Sequence, residues 1–282
     1  MRDLELQAAK DALTLYIEPQ GKRSLWATTT FDLTTEVRSF LATEDKKVLL
    51  LLGDAGSGKS TFNRAITRIL WDNYTDIAPI PLFISLIECS RDRLIEHHLE
   101  SYGFTASQIQ TLKQERQFIF ILDGYDEIQT DLNLYNDNQL WKWKAKVIIS
   151  CRTEYLGKDY RQRFAPLDRN DISIARQLKE LVVAPFSSAQ INQYITNYVK
   201  CHTTEDQESE WDEAQYQRAF KQLPGLEPLL SNPFILKIAM TVLPSLAGQL
   251  RSSYKVTRLD LYDSFMHYWF HRAHKRLQQI RG

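Results

Sequence analysis

The chain has 282 residues, with 35 basic side chains against 35 acidic ones, 43% hydrophobic residues and 25% charged. That length admits one large domain or two small ones, and a chain of this size buries about three quarters of its unfolded surface without disulfide or metal staples. The composition excludes a disordered or collagen-like chain, and a net charge of zero offers no global electrostatic footprint for nucleic acid.

Leu4, Ala8, Ala12, Leu15 and Tyr16 recur at helical spacing and predict a leading helix that stops before Pro19. The first five residues alternate charge with apolar side chains and contain no signal-peptide core. A second short helix is predicted over 34–41, with Phe31, Val37, Phe40 and Leu41 on its apolar side. Four short apolar runs follow at 48–52, 80–86, 118–122 and 147–150. Between them lie segments of helical periodicity such as Phe62, Ala65, Ile66, Ile69 and Leu70. Apolar strands alternating with helices predict a parallel sheet covered on both faces. From about residue 185 the texture is helical. Ile191, Tyr194, Ile195 and Tyr198 form one stripe, Trp211, Ala214 and Ala219 mark another helix, and a last helix is predicted from 257 to about 279. The runs at 48–52 and 118–122 are far below the ~20 apolar residues needed to span a bilayer. Cys89, Cys151 and Cys201 are odd in number and far apart, which predicts neither a disulfide framework nor a zinc site and points to a reducing, cytoplasmic setting.

The first run leads into Gly53-Asp54-Ala55-Gly56-Ser57-Gly58-Lys59-Ser60-Thr61, which fits G-x-x-x-x-G-K-[ST]. Its glycines let successive N–H groups turn inward to cradle phosphate oxygens, Lys59 supplies a mobile charge for the β/γ-phosphates, and Ser60 offers a hydroxyl to Mg²⁺. Chance alone produces the four fixed positions in roughly one such chain per hundred. Placement after an apolar strand and before an amphipathic helix makes accident far rarer.

The third run closes on Asp123-Gly124-Tyr125-Asp126-Glu127. Asp123 suits the Mg²⁺ shell, Glu127 can orient and deprotonate a water attacking the γ-phosphate, and Asp126 can adjust the metal or that water. Taken alone this would be a polar turn; downstream of a phosphate loop it is read as the acidic partner of that loop. The fourth run ends Ser150-Cys151-Arg152, and an arginine at this edge can bind the γ-phosphate or serve in an ordinary salt bridge.

Taken in this order and at these separations, the phosphate loop, Leu-Asp-Gly-Tyr-Asp-Glu and Ile-Ile-Ser-Cys-Arg resemble the NACHT domain of the STAND class of P-loop NTPases. Pro185-Phe186-Ser187 with Gln190, Ile191 and Tyr194 is similar to the start of that family's helical domain, Ser231 to Leu236 to the segment whose Pro233 contacts adenine, and Thr257-Arg258 with Leu261-Tyr262 to a later helical stretch. The resemblance covers about residues 46–280. It implies a P-loop NTPase fold, a three-layer α/β/α parallel sheet followed by a helical domain, divided as an N-terminal helical lead-in over 1–45, the NTPase domain over 46–185 and the helical domain over 186–282. It further implies ATP or ADP with Mg²⁺, slow hydrolysis, and a nucleotide-controlled switch between closed monomer and open oligomer with a signalling role. The family usually adds an effector domain in front and a winged-helix domain and repeat sensor behind. None is legible here, so an excised core or a minimal relative is expected.

Other features take plainer readings. His267, His271 and His274 at i, i+4 and i+7 lack a fourth metal ligand and read as a solvated basic helix end. Trp26, Trp71, Trp141 and Trp143 read as core or interface residues, and Arg161 and Arg163 as surface-loop residues in preference to an arginine finger. The alternatives to a regulatory ATPase are a small-molecule phosphotransferase with the same loop and a nucleotide-binding scaffold of negligible turnover. No Asn-Lys-x-Asp sequence supports guanine. Neither a nucleic-acid nor a membrane partner is expected; self-association is.

Overall fold

Val48 to Gly53 carries no polar side chain, so a strand there has to be covered on both faces. In the computed structural model, which describes residues 13–88, 93–128, 133–167, 172–204, 211–223, 225–246 and 256–281, it is fully covered. Most of the leading helix expected from Leu4 to Tyr16 lies outside the described residues, and Cys89 lies outside them too. The chain divides into two units, Met1–Ala184 and Pro185–Gly282.

The first unit contains, in chain order, β1 (Gln20–Lys22), β2 (Phe31–Asp32), α1 (Leu33–Ala42), β3 (Val48–Gly53), α2 (Lys59–Asp72), β4 (Ile80–Ser85), α3 (Leu94–Ser101), α4 (Ala106–Glu115), β5 (Gln117–Asp123), β6 (Lys144–Arg152) and β7 (Leu178–Val183). The strands form one sheet in the order β2-β1-β7-β3-β6-β5-β4. β7, β3, β6, β5 and β4 run parallel, while β1 pairs antiparallel with both β7 and β2. The four apolar runs are therefore four strands of the parallel core, but the sheet is mixed at one edge, where parallel pairing throughout was expected. Three strands escape the sequence pattern for a physical reason. β1 and β2 are three and two residues long, too short for a period of two to register. β7 carries Lys179 and Glu180, whose charges are neutralised by Glu36 at 2.8 Å and Arg161 at 2.7 Å.

Alternation along β3 divides the unit's core. Val48, Leu50 and Leu52 pack with Phe120, Leu122, Ile149 and Cys151 beneath α3 and α4. Leu49 and Leu51 pack with Ile119, Ile121 and Ile148 beneath α1 and α2. Each buried leucine contributes about 1.5–3 kcal/mol, so the one strand anchors both helical layers. Trp71 and Trp143 are core residues as expected, but Trp26 is 90% and Trp141 55% exposed, because both lie outside the strands and the buried helix faces.

The second unit comprises α5 (Ser188–Thr204), α6 (Glu213–Gln222), α7 (Pro233–Leu246) and α8 (Arg258–Arg281). Tyr194, Ile195 and Tyr198 of α5 are buried. Asp212 and Gln215 cap α6 reciprocally, and that helix turns Tyr216, Ala219 and Phe220 inward while Ala214 faces out. The Tyr216 hydroxyl donates to the Met240 carbonyl at 2.9 Å, tying α6 to α7. No described helix is long and apolar enough to cross a membrane. Tyr216→Phe removes that buried hydrogen bond and is expected to lower the unfolding free energy by about 1 kcal/mol, read from denaturant titration of the helical circular-dichroism signal.

Candidate nucleotide site

The site begins where β3 stops. Gly53 closes the strand, residues 54–58 form a loop, and α2 starts at Lys59. Gly58 sits at the helix N-cap with φ 93°, a conformation that a side chain resists. The Lys59 ammonium folds back to donate to the carbonyls of Gly53 at 2.7 Å and Asp54 at 3.1 Å. Burial lowers the Lys59 pKa; the Asp126 and Asp123 carboxylates oppose that shift, and the Arg152 guanidinium adds to it. Asp54, Ala55, Gly56 and Ser60 are exposed, Thr61 is half-buried, and the buried Ser57 hydroxyl has no hydrogen-bond partner among the described residues. Thr153, just past β6, donates to the Asp54 carboxylate and ties the loop to the neighbouring strand end.

Asp123 closes β5 and is 8% exposed. Gly124 then adopts φ 85°, and Tyr125 plunges into the core against Phe164 at 4.6 Å. That anchor returns Asp126 and Glu127 to the sheet edge. Asp126 is committed to Arg152: one oxygen accepts from the Arg152 backbone N–H at 3.0 Å and the other meets Nε at 2.8 Å. Glu127 lies 3.9 Å from Nη2 of the same guanidinium, and both side chains remain partly exposed. The buried Cys151 thiol between these groups is pushed up to about 12 by desolvation and the Asp126 charge, so it is a packing residue at neutral pH.

Gly53, Asp123, Asp126, Glu127 and Arg152 thus meet at one edge of the sheet, Gly53 and Arg152 being register partners on β3 and β6. Pro233 belongs to the second unit. It occupies the first position of α7, where a missing N–H costs nothing, and Asn232 caps the turn by accepting from Phe234 and Ile235 N–H groups. Arg161 is engaged by Glu180 through two hydrogen bonds, and Arg163 lies over the Tyr155 ring. Among the described residues no three His, Cys, Asp or Glu side chains converge as a metal cluster.

Two residues of the site were given no role by the sequence, although Ser150 stands within the Ile-Ile-Ser-Cys-Arg stretch. Asn63 on α2 and Ser150 on β6 both donate to the same oxygen of Asp123, each at 2.6 Å. A signal existed in each case, a polar residue where the pattern asks for an apolar one. Asn63 stands beside Phe62 in the buried stripe of α2, and Ser150 interrupts the apolar run of β6.

Residues 47–201 match the family model described as the NACHT domain. No curated protein matches the chain. Among solved structures, that of C. elegans PCH-2 is 14% identical, with 96% of this chain and 72% of that one covered at a TM-score of 0.41. That of the Aeropyrum pernix ORC1 protein in complex with DNA is 14% identical, with 95% and 65% covered at 0.46.

Gly124→Ala is expected to cost about 1–2 kcal/mol in denaturant unfolding, because alanine must then adopt a left-handed conformation. A depressed lysine pKa means that folding favours the neutral amine, so the ligand-free chain gains stability as pH climbs from the shifted value to the ordinary ~10.4. Lys59→Met is expected to flatten that rise in unfolding titrations at stepped alkaline pH.

Proposed function

Because the chain belongs to the NACHT domain family of nucleotide-binding P-loop NTPases, we propose that it is a slow, Mg²⁺-dependent ATPase acting as a nucleotide-controlled conformational switch. The observation that carries this reading is the shared edge: the phosphate loop, an aspartate at the end of one strand and an arginine at the end of the strand between them. The N–H groups of residues 54–59 and the N-terminus of α2 receive the β/γ-phosphates. Lys59 then exchanges the carbonyls of Gly53 and Asp54 for phosphate oxygens, and the added negative charge opposes the lowering of its pKa by burial.

The residues suit magnesium in kind. Asp123 offers the carboxylate oxygen that accepts no hydrogen bond from a described residue, Ser60 offers an exposed hydroxyl, and both are hard oxygen donors. When bound, the ion neutralises charge on the β/γ oxygens. Glu127, 38% exposed at the same edge, orients and deprotonates the attacking water. Asp126 holds Arg152 through Nε and leaves Nη1, with Nη2 only loosely paired to Glu127 at 3.9 Å, for the γ-phosphate, which makes Asp126 a positioning residue for that arginine.

A switch needs a group that distinguishes triphosphate from diphosphate, since a ligand shifts an equilibrium only by its differential affinity for the two states. Arg152 supplies that difference, and the family resemblance supports coupling it to self-association. Lys59→Ala is expected to weaken labelled-ATP binding at least hundredfold; equal affinity in variant and wild type overturns the assignment. Glu127→Gln is expected to retain ATP binding within a few-fold while phosphate release without any added acceptor falls about hundredfold or more. Release that requires a small-molecule acceptor marks a phosphotransferase instead. Solution mass is expected to grow with a non-hydrolysable ATP analogue and not with ADP.

A further inference from the structure

The carboxylate of Asp123 is held asymmetrically. Its Oδ1 accepts from Asn63 Nδ2 and from the Ser150 hydroxyl, each at 2.6 Å, whereas Oδ2 accepts from no described residue. The hydroxyl has no freedom to point elsewhere. Ser150 Oγ accepts from the Gly124 N–H at 3.0 Å, which directs its own proton onto Asp123.

Each donor is placed by the periodicity of its own element. Lys59 and Asn63 stand one helical turn apart on the buried face of α2, the lysine at the loop and the asparagine beneath it. Along β6, Ser150 shares a face with Ile148, and along β5, Asp123 shares a face with Ile119 and Ile121, both directed toward α2. Asn63 is 0% exposed and its Oδ1 is buried with no hydrogen-bond partner. An unsatisfied carbonyl in that position works against stability. An apolar residue would suit the stripe better, so the amide is retained at a cost, with its nitrogen directed at the carboxylate.

We infer that Asn63 and Ser150 are positioning residues that fix the Asp123 carboxylate by Oδ1 and present Oδ2 to the magnesium ion of the bound nucleotide. The inference rests on the nucleotide-site reading above and extends it to two side chains that touch neither nucleotide nor metal. Outer partners of this kind fix the orientation and the charge density of a metal ligand, and their loss typically weakens metal affinity 10- to 100-fold.

The test is a Mg²⁺ titration of the full-length chain with labelled ATP, read by fluorescence anisotropy and not by turnover. In Ser150→Ala, and in the pair Asn63→Ala with Ser150→Ala, the Mg²⁺ concentration for half-maximal enhancement of ATP binding is expected to rise at least tenfold, while affinity for ATP in chelator changes less than twofold. Ser150→Ala removes one oxygen from a buried strand position and serves if the double variant does not fold. An unchanged Mg²⁺ requirement in the folded variant overturns the inference and leaves the nucleotide reading intact. Equal loss of affinity with and without Mg²⁺ also overturns it, since the two side chains then support only the loop. A wild-type chain that binds no ATP overturns both.

Discussion

Six consecutive register pairs between β3 and β6, from Val48↔Val147 to Gly53↔Arg152, are the constraint on which the site depends. Both strands are buried on both faces, so a slip of one residue turns every side chain of one strand to the opposite layer. Ile148 would then leave the α2 face, Ser150 would turn away from Asp123, and Arg152 would turn away from Asp126. Hydrophobic burial along the strand thereby sets the polar geometry at its end. The ladder brings the arginine beside the loop, and the neighbouring ladder between β5 and β6 does the same for the aspartate.

Around that edge the polar groups are bound to one another in sequence. Asp54 is tied to Thr153, Asp126 to Arg152, Lys59 to the loop's own carbonyls, and Asp123 to Asn63 and Ser150. Each of these charges therefore has a partner within the protein, as a partly desolvated site requires. For Lys59 and Arg152 the partners are of the kind that a phosphate can displace or share.

What was legible in advance follows the strength of local patterns. Gly53 to Thr61 stood out because its glycines, lysine and hydroxyls are contiguous, and the four apolar runs because a doubly buried strand has no polar face to interrupt it. β7 was hidden by Lys179 and Glu180, which lie near the strand's start and are neutralised by Glu36 and Arg161, residues far away in sequence. Trp26 and Trp141 misled for the opposite reason. Aromatic character alone says nothing about whether a neighbouring surface exists to cover the ring.

By itself the sequence determined the class of fold, the phosphate loop and the acidic residues after the third apolar run, since each is encoded by residues close together in the chain. Only the tertiary structure decided that β6 lies between β3 and β5, that Asp126 faces Arg152, and that Asn63 and Ser150 converge on one oxygen of Asp123. Those contacts join residues 26 to 60 positions apart in sequence, and no local period records which strand will become another's neighbour.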